Sequence, residues 1–482
     1  TQTATVGTNI TGRQITETAI ASRNALDLVG LLPGTATVGR PRQASVNGLP
    51  KGALSITLDG VDAQDNLLKS SDGFFTLVQP KIDAIEEVTV SSAVPGAESS
   101  GEGAVQIKFV TKRGTNRYSG GVFEQVRNTA LNAAYFFNNR DLKPLPGQTK
   151  APRNVIQLNQ YGVNFGGPIP FPHFGEGGPM FHSGKDKSFF FVNYEEYRLP
   201  ESQSRTRTVL TPAAAAGNYS YVAGGVTNTV NLLSVAAANA KLATADPTIA
   251  SVFAKINAAT ATTGTLTPTT ASPNLQNYNF TPQGGQVRRF LALRFDANIT
   301  KNHSVEVVLN RHKFVPAKDF LNAVEERFPG FPSYGQGSTR ESTTVALRST
   351  LKNNIINELR YANSSGFVNF FPTLSPADFT FQGGYILGIN AISMGGSAIT
   401  SATALTNKQA RTSPTHDTSN TLTWIAGNHN ISLGGNFKVI KIDSFLTNPI
   451  VPSIGFGLDS SDSAFSMFSA TSLPGASPAQ LT

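Results

Sequence analysis

The chain has 482 residues, of which only 15% are charged; it carries a net charge of +8, has a pI of about 9.5 and contains no cysteine. The lack of cysteine excludes a disulfide framework and a thiolate metal site, and with no Lys/Arg block interleaved with aromatics the positive charge gives no reason to expect nucleic acid as a partner. No run of 18 apolar residues occurs, which argues against a membrane-spanning helix but leaves open a barrel that crosses with strands.

Residues 1 to 20 lack a charged start followed by an apolar core, so no signal peptide is expected and the chain reads as mature or truncated. In residues 22 to 32, Leu26, Val29 and Leu32 share one face ahead of Pro33-Gly34, which predicts an amphipathic helix. Residues 42 to 62 predict two short strands, with Leu54, Ile56 and Leu58 alternating before an Asp59-Gly60 turn. From Asp83 to Asn116 the chain predicts two strands around a glycine-rich loop. Ile82, Ile85 and Val88 suggest a helical turn running into the first, and Val105, Ile107 and Phe109 alternate along the second. These elements make an α+β domain over residues 1–115.

From Tyr118 the pattern changes. Candidate strands are Tyr118 to Arg127, Ile156 to Gly166, Lys187 to Arg198, Val287 to Ile299, His303 to Lys313, Arg340 to Thr350, Asn354 to Ser364, Thr415 to Ala426 and Asn430 to Lys441. Each is close to the ~9–11 residues that cross a bilayer at a tilt, and longer than the usual ~5–6 of soluble strands. Leu291, Leu293, Phe295, Ala297 and Ile299 oppose Ala292, Arg294, Asp296 and Asn298, the alternation of an apolar outside and a wet lumen. Val305, Val307 and Leu309 likewise oppose Ser304, Glu306 and Asn310, and Ile355, Leu359 and Tyr361 oppose Glu358 and Arg360. Short links (Thr300 to Asn302, Leu351 to Asn353, Gly427 to His429) alternate with long ones (Asn128 to Val155, Leu199 to Gln286, Phe314 to Thr339, Gly366 to Pro414). That alternation fits periplasmic turns and extracellular loops, with only Gly167 to Asp186 straining it. Barrels of bacterial single chains close with an even number of strands, so nine strands predict an incomplete barrel. The expected fold is therefore mainly β: an α+β domain followed by antiparallel transmembrane barrel strands over residues 116–482.

The candidate chemical groups read as structural. Adjacent strand residues point to opposite faces, so neither Glu86 with Glu87 nor Glu195 with Glu196 can form a catalytic pair; a structural role or a salt link to the barrel wall is expected instead. His173, His182, His303, His312, His416 and His429 show no i, i+4 pair and no HExxH arrangement, so no metal site is expected. Gly101 and Gly103 are followed by no Gly-Lys-Ser/Thr, and Ser183, Ser188 and Ser204 stand in no GxSxG elbow. Phe189 to Phe191 with Tyr194 and Tyr197 suggest an aromatic girdle at a membrane interface rather than a carbohydrate platform. Thr211 to Pro273, rich in Ala and Thr, reads as a mobile or self-packed extracellular loop. No catalytic residue and no cofactor is expected.

Several stretches resemble the TonB-dependent outer-membrane receptors, and within them the Oar-like branch. Leu58-Asp59-Gly60-Val61 resembles the family's plug "DG" turn and IDAIEEVTV (Ile82 to Val90) its "IERIEV" segment. GEGAVQIKFVT (Gly101 to Thr111) resembles the closing plug strand, and KRGTNRYSGG (Lys112 to Gly121) the passage from plug to barrel. QYGVNFGGP (Gln160 to Pro168) and KDKSFFFVNYEEYR (Lys185 to Arg198) are similar to signatures of the branch. The chain departs from many plugs at Ser91 to Gly101, SSAVPGAESSG, where an aromatic is missing. The resemblance implies a plug in residues 1–115 and about nine strands of a barrel of ~22, the family's TonB box and regulatory-like domain not being found before Thr1. It gives Asp59, Gly60, Glu86, Glu87, Gly101, Gly103, Lys112, Arg113 and Gly114 structural or gating roles as the seal and hinge of a transporter. The implied partners are TonB, outer-membrane lipid and lipopolysaccharide, and an unknown ligand such as a siderophore, glycan or peptide. The alternative is an outer-membrane structural, adhesion or secretion-linked protein on the same scaffold without import. A third reading, a soluble carbohydrate-binding β protein, predicts stability without detergent.

Overall fold

The computed structural model describes residues 6–36, 41–93, 105–133, 149, 156–172, 181–318, 320, 325–332, 335–371, 375–389, 393–394, 397–403, 408–447, 451–456, 461, 465–477 and 480. Five N-terminal strands, β1 (Val6–Thr11), β2 (Leu54–Leu58), β3 (Val61–Asp62), β4 (Ile85–Ala93) and β5 (Val105–Thr111), form one mixed sheet in the order β1-β4-β5-β2-β3. The alternation expected of Leu54, Ile56 and Leu58 and of Val105, Ile107 and Phe109 is present, and all six side chains are buried in one core. Burying each such side chain contributes ~1.5–3 kcal/mol, so this face holds the sheet together.

Three local expectations change. Only Leu26–Val29 is helical. The following amides of Gly30, Leu31 and Leu32 bond three residues back, a tight 3₁₀-like run that stops at Pro33 and still turns Leu26, Leu28 and Val29 into the core. No helical turn precedes β4, because residues 82–84 form a turn and the strand starts at Ile85. The three-residue spacing of Ile85 and Val88 comes instead from a bulge between Ile85 and Glu87, which lets both face the core. Finally, the two short strands expected between residues 42 and 62 do not pair with each other: Ser45–Val46 pairs with Thr35–Ala36, while β2 pairs with β5 and β3.

All nine long strands are present, several of them longer than the sequence pattern predicts. They are β6 (Ser119–Asn128), β7 (Gln157–Pro168), β8 (Ser188–Ser202), β9 (Gln283–Asn298), β10 (His303–Lys318), β11 (Gly335–Lys352), β12 (Ile355–Phe371), β13 (Thr415–Ala426) and β14 (His429–Ile440). Each pairs antiparallel with its neighbour in sequence, forming an open meander with β6 and β14 at its edges. Short strands Gln409–Thr412 and Asp443–Leu446 extend the sheet beside β12. Leu293, Phe295, Leu309, Val345, Leu347, Leu359 and Tyr361 are exposed on the outer face. The opposite face turns toward the N-terminal sheet, so the alternation seen in the sequence separates an apolar outside from a polar inside.

The segment from Thr211 to Pro273 folds on itself. Asp246 accepts the amides of Thr248 and Ile249 and opens the helix Pro247–Thr262. Val252 and Ile256 on that helix pack with Tyr278, Phe328, Phe331 and Leu387 from other connections, so the long links on this side of the sheet share one core.

Candidate functional site

The polar face of the long sheet meets the N-terminal sheet along a line of buried charged contacts. At the β8 end, Glu195 is fully buried and accepts from Gln160 Nε2 at 2.6 Å. Arg23 Nε lies 3.3 Å and Lys81 Nζ 3.2 Å from its two oxygens. Arg23 also bonds Asp83 and lies over the Phe123 ring at 3.5 Å, and Lys81 lies 3.8 Å from the Phe290 centroid. Burial pulls the Lys81 ammonium below its usual pKa, against the opposing pull of Glu195.

At the centre stands the Asp59-Gly60 turn between β2 and β3. Both residues have positive φ, 52° and 85°, as a tight two-residue hairpin turn requires. The Asp59 carboxylate is buried and accepts the Thr111 amide at 2.8 Å and the Thr111 hydroxyl at 2.6 Å, tying the turn to the end of β5. Burial raises its pKa, while the Thr111 hydrogen bonds and the nearby Arg294 and Arg360 work in the other direction. From the wall, Arg294 Nη1 donates to the Thr111 carbonyl at 2.8 Å and Arg360 Nη1 to the Asp59 carbonyl at 2.7 Å. Arg294 is itself held by Asp296 and by Glu306 at 2.7 Å, and Arg360 by Glu358 at 2.9 Å. A Cβ on Gly60 would lie 2.9 Å from Arg360 Nη1 and 3.0 Å from its Cδ, so a glycine is what allows this approach.

Further along, Arg340 donates to the Leu77 carbonyl at 3.4 Å, Arg411 pairs with Asp65 at 3.3 Å and Lys438 with Asp62 at 3.6 Å. Asn66 donates to Thr415 at 3.0 Å. Strands β8, β9, β11, β12, β13 and β14 all contribute to this line of contacts.

The other residues singled out in the sequence fall in different places. Glu86 is exposed at the bulge, and Glu87 accepts from Asn9 at 2.8 Å and Thr89 at 2.9 Å inside the N-terminal sheet, so among the described residues neither makes a salt link to the wall. Lys112 bonds the Ala84 carbonyl through its amide; burial lowers its side-chain pKa, and Asp83 and Glu86 oppose that shift. Arg113 is exposed. Gly114 is buried where the chain passes to the wall: a Cβ there would lie 2.4 Å from the Phe190 carbonyl oxygen and 2.9 Å from that of Gly167. Gly101, Gly103 and His173 lie outside the described residues.

Glu195 and Glu196 do point to opposite faces, and Glu196 meets Tyr161, Tyr194, Arg198 and Arg289 on the outer one. The aromatic run divides in the same way. Phe190 joins Phe165 and Tyr118 on the outside, but Phe191 turns inward to pack with Ala84 and Ala292, which removes it from any girdle because residues one apart on a strand alternate in face. Sequence reasoning did not single out Arg23, Lys81, Arg411 or Lys438 as contact residues. Arg294, Glu306 and Arg360 carried a signal, as polar members of alternating strands.

With an antiparallel meander, an apolar outer face and a charged inner face established, comparison with known families becomes decisive. Residues 110–472 match the family described as the outer membrane beta barrel domain. The chain belongs to that family. The long sheet is accordingly barrel wall, and its place is the outer membrane. Among solved structures, the outer membrane transporter YddB from Escherichia coli is similar, with a TM-score of 0.52 at 10% identity over 91% of this chain and 48% of that one. The siderophore receptor PirA from Acinetobacter baumannii aligns at a TM-score of 0.45 and 12% identity, over 90% of this chain and 48% of that one. The chain thus spans about half the length of these two proteins. Among curated proteins, no match is found.

Proposed function

We propose that residues 1–115 are the plug, and residues 116–482 the N-terminal part of the barrel, of a TonB-dependent outer-membrane receptor of the Oar-like branch that captures a scarce ligand outside the cell and imports it. The observation that carries this reading is the chemistry of the contact between plug and wall. Wall arginines donate to plug backbone carbonyls at Asp59, Leu77 and Thr111, and charged pairs flank them at Glu195, Asp65 and Asp62. Water can replace such bonds at a net cost of only ~0.5–1.5 kcal/mol each, so a polar seal can open and close again, whereas an apolar seal would resist wetting.

In this reading Asp59, Gly60, Lys112, Arg113 and Gly114 belong to the seal and hinge. TonB pulls the plug from the periplasm, and the outer connections bind a siderophore, glycan or peptide. No bond of the ligand is made or broken, so no side chain acts as acid, base or nucleophile.

The test is liposome swelling with the full-length protein and with a version lacking residues 1–115. The deletion is expected to turn a closed barrel into an open pore, and a deleted barrel that stays closed overturns the plug assignment. Ligand uptake that persists without TonB would overturn the TonB-dependent reading, and no uptake at all would favour the structural, adhesion or secretion-linked role.

A further inference from the structure

The chain leaves the N-terminal sheet and enters the wall within a few residues. The Lys112 amide still donates to the Ala84 carbonyl at 2.8 Å, Arg113 is exposed, and Gly114 is already buried against β7 and β8. We infer that Asn116 and Asp186, braced by Asn298, clamp this passage to the wall, so that movement of the N-terminal domain stops at Arg113. The inference rests on the plug reading above and adds to it the point where the moving part of the chain ends.

Asn116 and Asp186, 70 residues apart in sequence, exchange two hydrogen bonds: Asn116 Nδ2 donates to Asp186 Oδ1 at 2.5 Å, and the Asp186 amide donates to Asn116 Oδ1 at 2.8 Å. The Asp186 carbonyl accepts from Asn298 Nδ2 at 2.8 Å, and the Asn298 amide donates to the Lys187 carbonyl at 2.6 Å. The end of β9 thus holds the turn that leads into β8. The Gly184 carbonyl closes that turn by accepting the amides of Lys187 and Ser188 at 3.0 and 2.9 Å. Asp186 has a φ of 62°, a left-handed conformation that costs an L residue. Glycine would be free of that cost but has no carboxylate to offer Asn116, so the strained residue is the one that makes the bond. The pair joins KRGTN to KDK, and it gives a role to the connection from Gly167 to Asp186, the one that strains the alternation of short and long links.

The way β6 is loaded gives the clamp its purpose. β6 pairs with β7 from Ser119 opposite Gly166 onward. Tension on the preceding chain would open that ladder from its end, one pair at a time, and each backbone bond is weak when it carries the load alone. The clamp lies ahead of the first pair. It meets the tension with two bonds at once, one of them to a carboxylate and so stronger than a neutral bond, and it passes the load to β8 and β9 instead of β6. Upstream, the bond from Lys112 to Ala84 lies within the N-terminal domain and moves with it. The backbone around Arg113 is therefore the part left to pivot.

The experiment is hydrogen exchange, read by mass spectrometry on the purified full-length protein in detergent as urea releases the N-terminal domain, with the wall followed by its heat-dependent gel mobility. In wild type, residues up to 112 are expected to exchange on release while 114–128 keep their protection. In Asn116→Ala and in Asp186→Gly, the second of which also relieves the left-handed backbone, residues 114–128 should exchange at least tenfold faster than in wild type at the same urea, with the wall midpoint unchanged. Asp186→Asn, which can still exchange both bonds with Asn116, should behave like wild type. Exchange of 114–128 together with the domain in wild type, wild-type protection in both disruptive variants, or a wall midpoint that falls in step with the loss of protection would each overturn the clamp. Failure of residues 1–113 to release ahead of the wall would instead overturn the plug reading, and the clamp with it.

Discussion

If residues 1–115 are the plug proposed above, replacing Glu195 by Gln should loosen it more than any other single change at the wall. Glu195 is the carboxylate that compensates Lys81 and Arg23, whose side chains are only 4% and 8% exposed, and it is itself 0% exposed. Glutamine keeps the size and can still bond Gln160, but among the described residues it leaves Arg23 with Asp83 alone and Lys81 with no carboxylate partner. Removing one partner of a buried ion pair typically costs ~3–5 kcal/mol, because the remaining charge is left uncompensated in a medium of low dielectric. At ~1.4 kcal/mol per factor of ten, the undocked state of the proposed plug should become roughly 10² to 4 × 10³ times more populated. The assay is urea-induced plug release from the full-length protein in detergent, followed by protease cleavage in residues 80–85, with the barrel monitored separately by its heat-dependent gel mobility. E195Q should release the plug at clearly lower urea while the barrel stays folded. A second change, Lys81→Met, should recover part of the loss when combined with E195Q, since it removes one stranded charge. An E195Q protein with the wild-type release midpoint, or an E195Q/K81M protein no better than E195Q, would refute the reasoning that the charge compensation docks the plug.

Gly60→Ala tests the close approach at the centre of the seal. A side chain at φ +85°, within 2.9 Å of Arg360 Nη1, should cost about 1–2 kcal/mol from the backbone alone and displace the Arg360 contact, lowering the urea midpoint of plug release; Gly114 substitutions are not a substitute test because they also disturb the wall. Asp59 gives a pH signature. Its folded pKa is raised above the ordinary value of 3.8 by burial, so between that value and the raised one the folded state binds more protons than the unfolded state. Wild-type docking should therefore strengthen relative to Asp59→Asn as pH falls through this window and level off below it. A wild-type advantage that instead shrinks on acidification would show that hydrogen bonds and arginines outweigh burial at this carboxylate.

The chain's own local pattern was enough to locate the wall. A two-residue period is written into each strand by its neighbours alone, and the turn chemistry of Thr300 to Asn302 or Gly427 to His429 is equally local, so all nine long strands were legible. The helix Pro247–Thr262 was missed: the Ala/Thr composition of its stretch suggested a loop and outweighed its local signals, Asp246-Pro247 at its start and Ile249, Val252 and Ile256 along one face. The core of the small sheet could be read from alternation, except at the bulge beside Glu86, where an added residue imitates helical spacing.

The contact between the N-terminal sheet and the wall was decided only by the tertiary structure. Arg23 and Glu195 are 172 residues apart in sequence, and Arg360 meets the Asp59 carbonyl across 301. Strand period shows that Glu195 and Glu196 face opposite ways, yet it does not say which of them faces the N-terminal domain. That depends on how two separately folded surfaces meet, and charges recognise each other through distance in space, of which their spacing along the chain keeps no record.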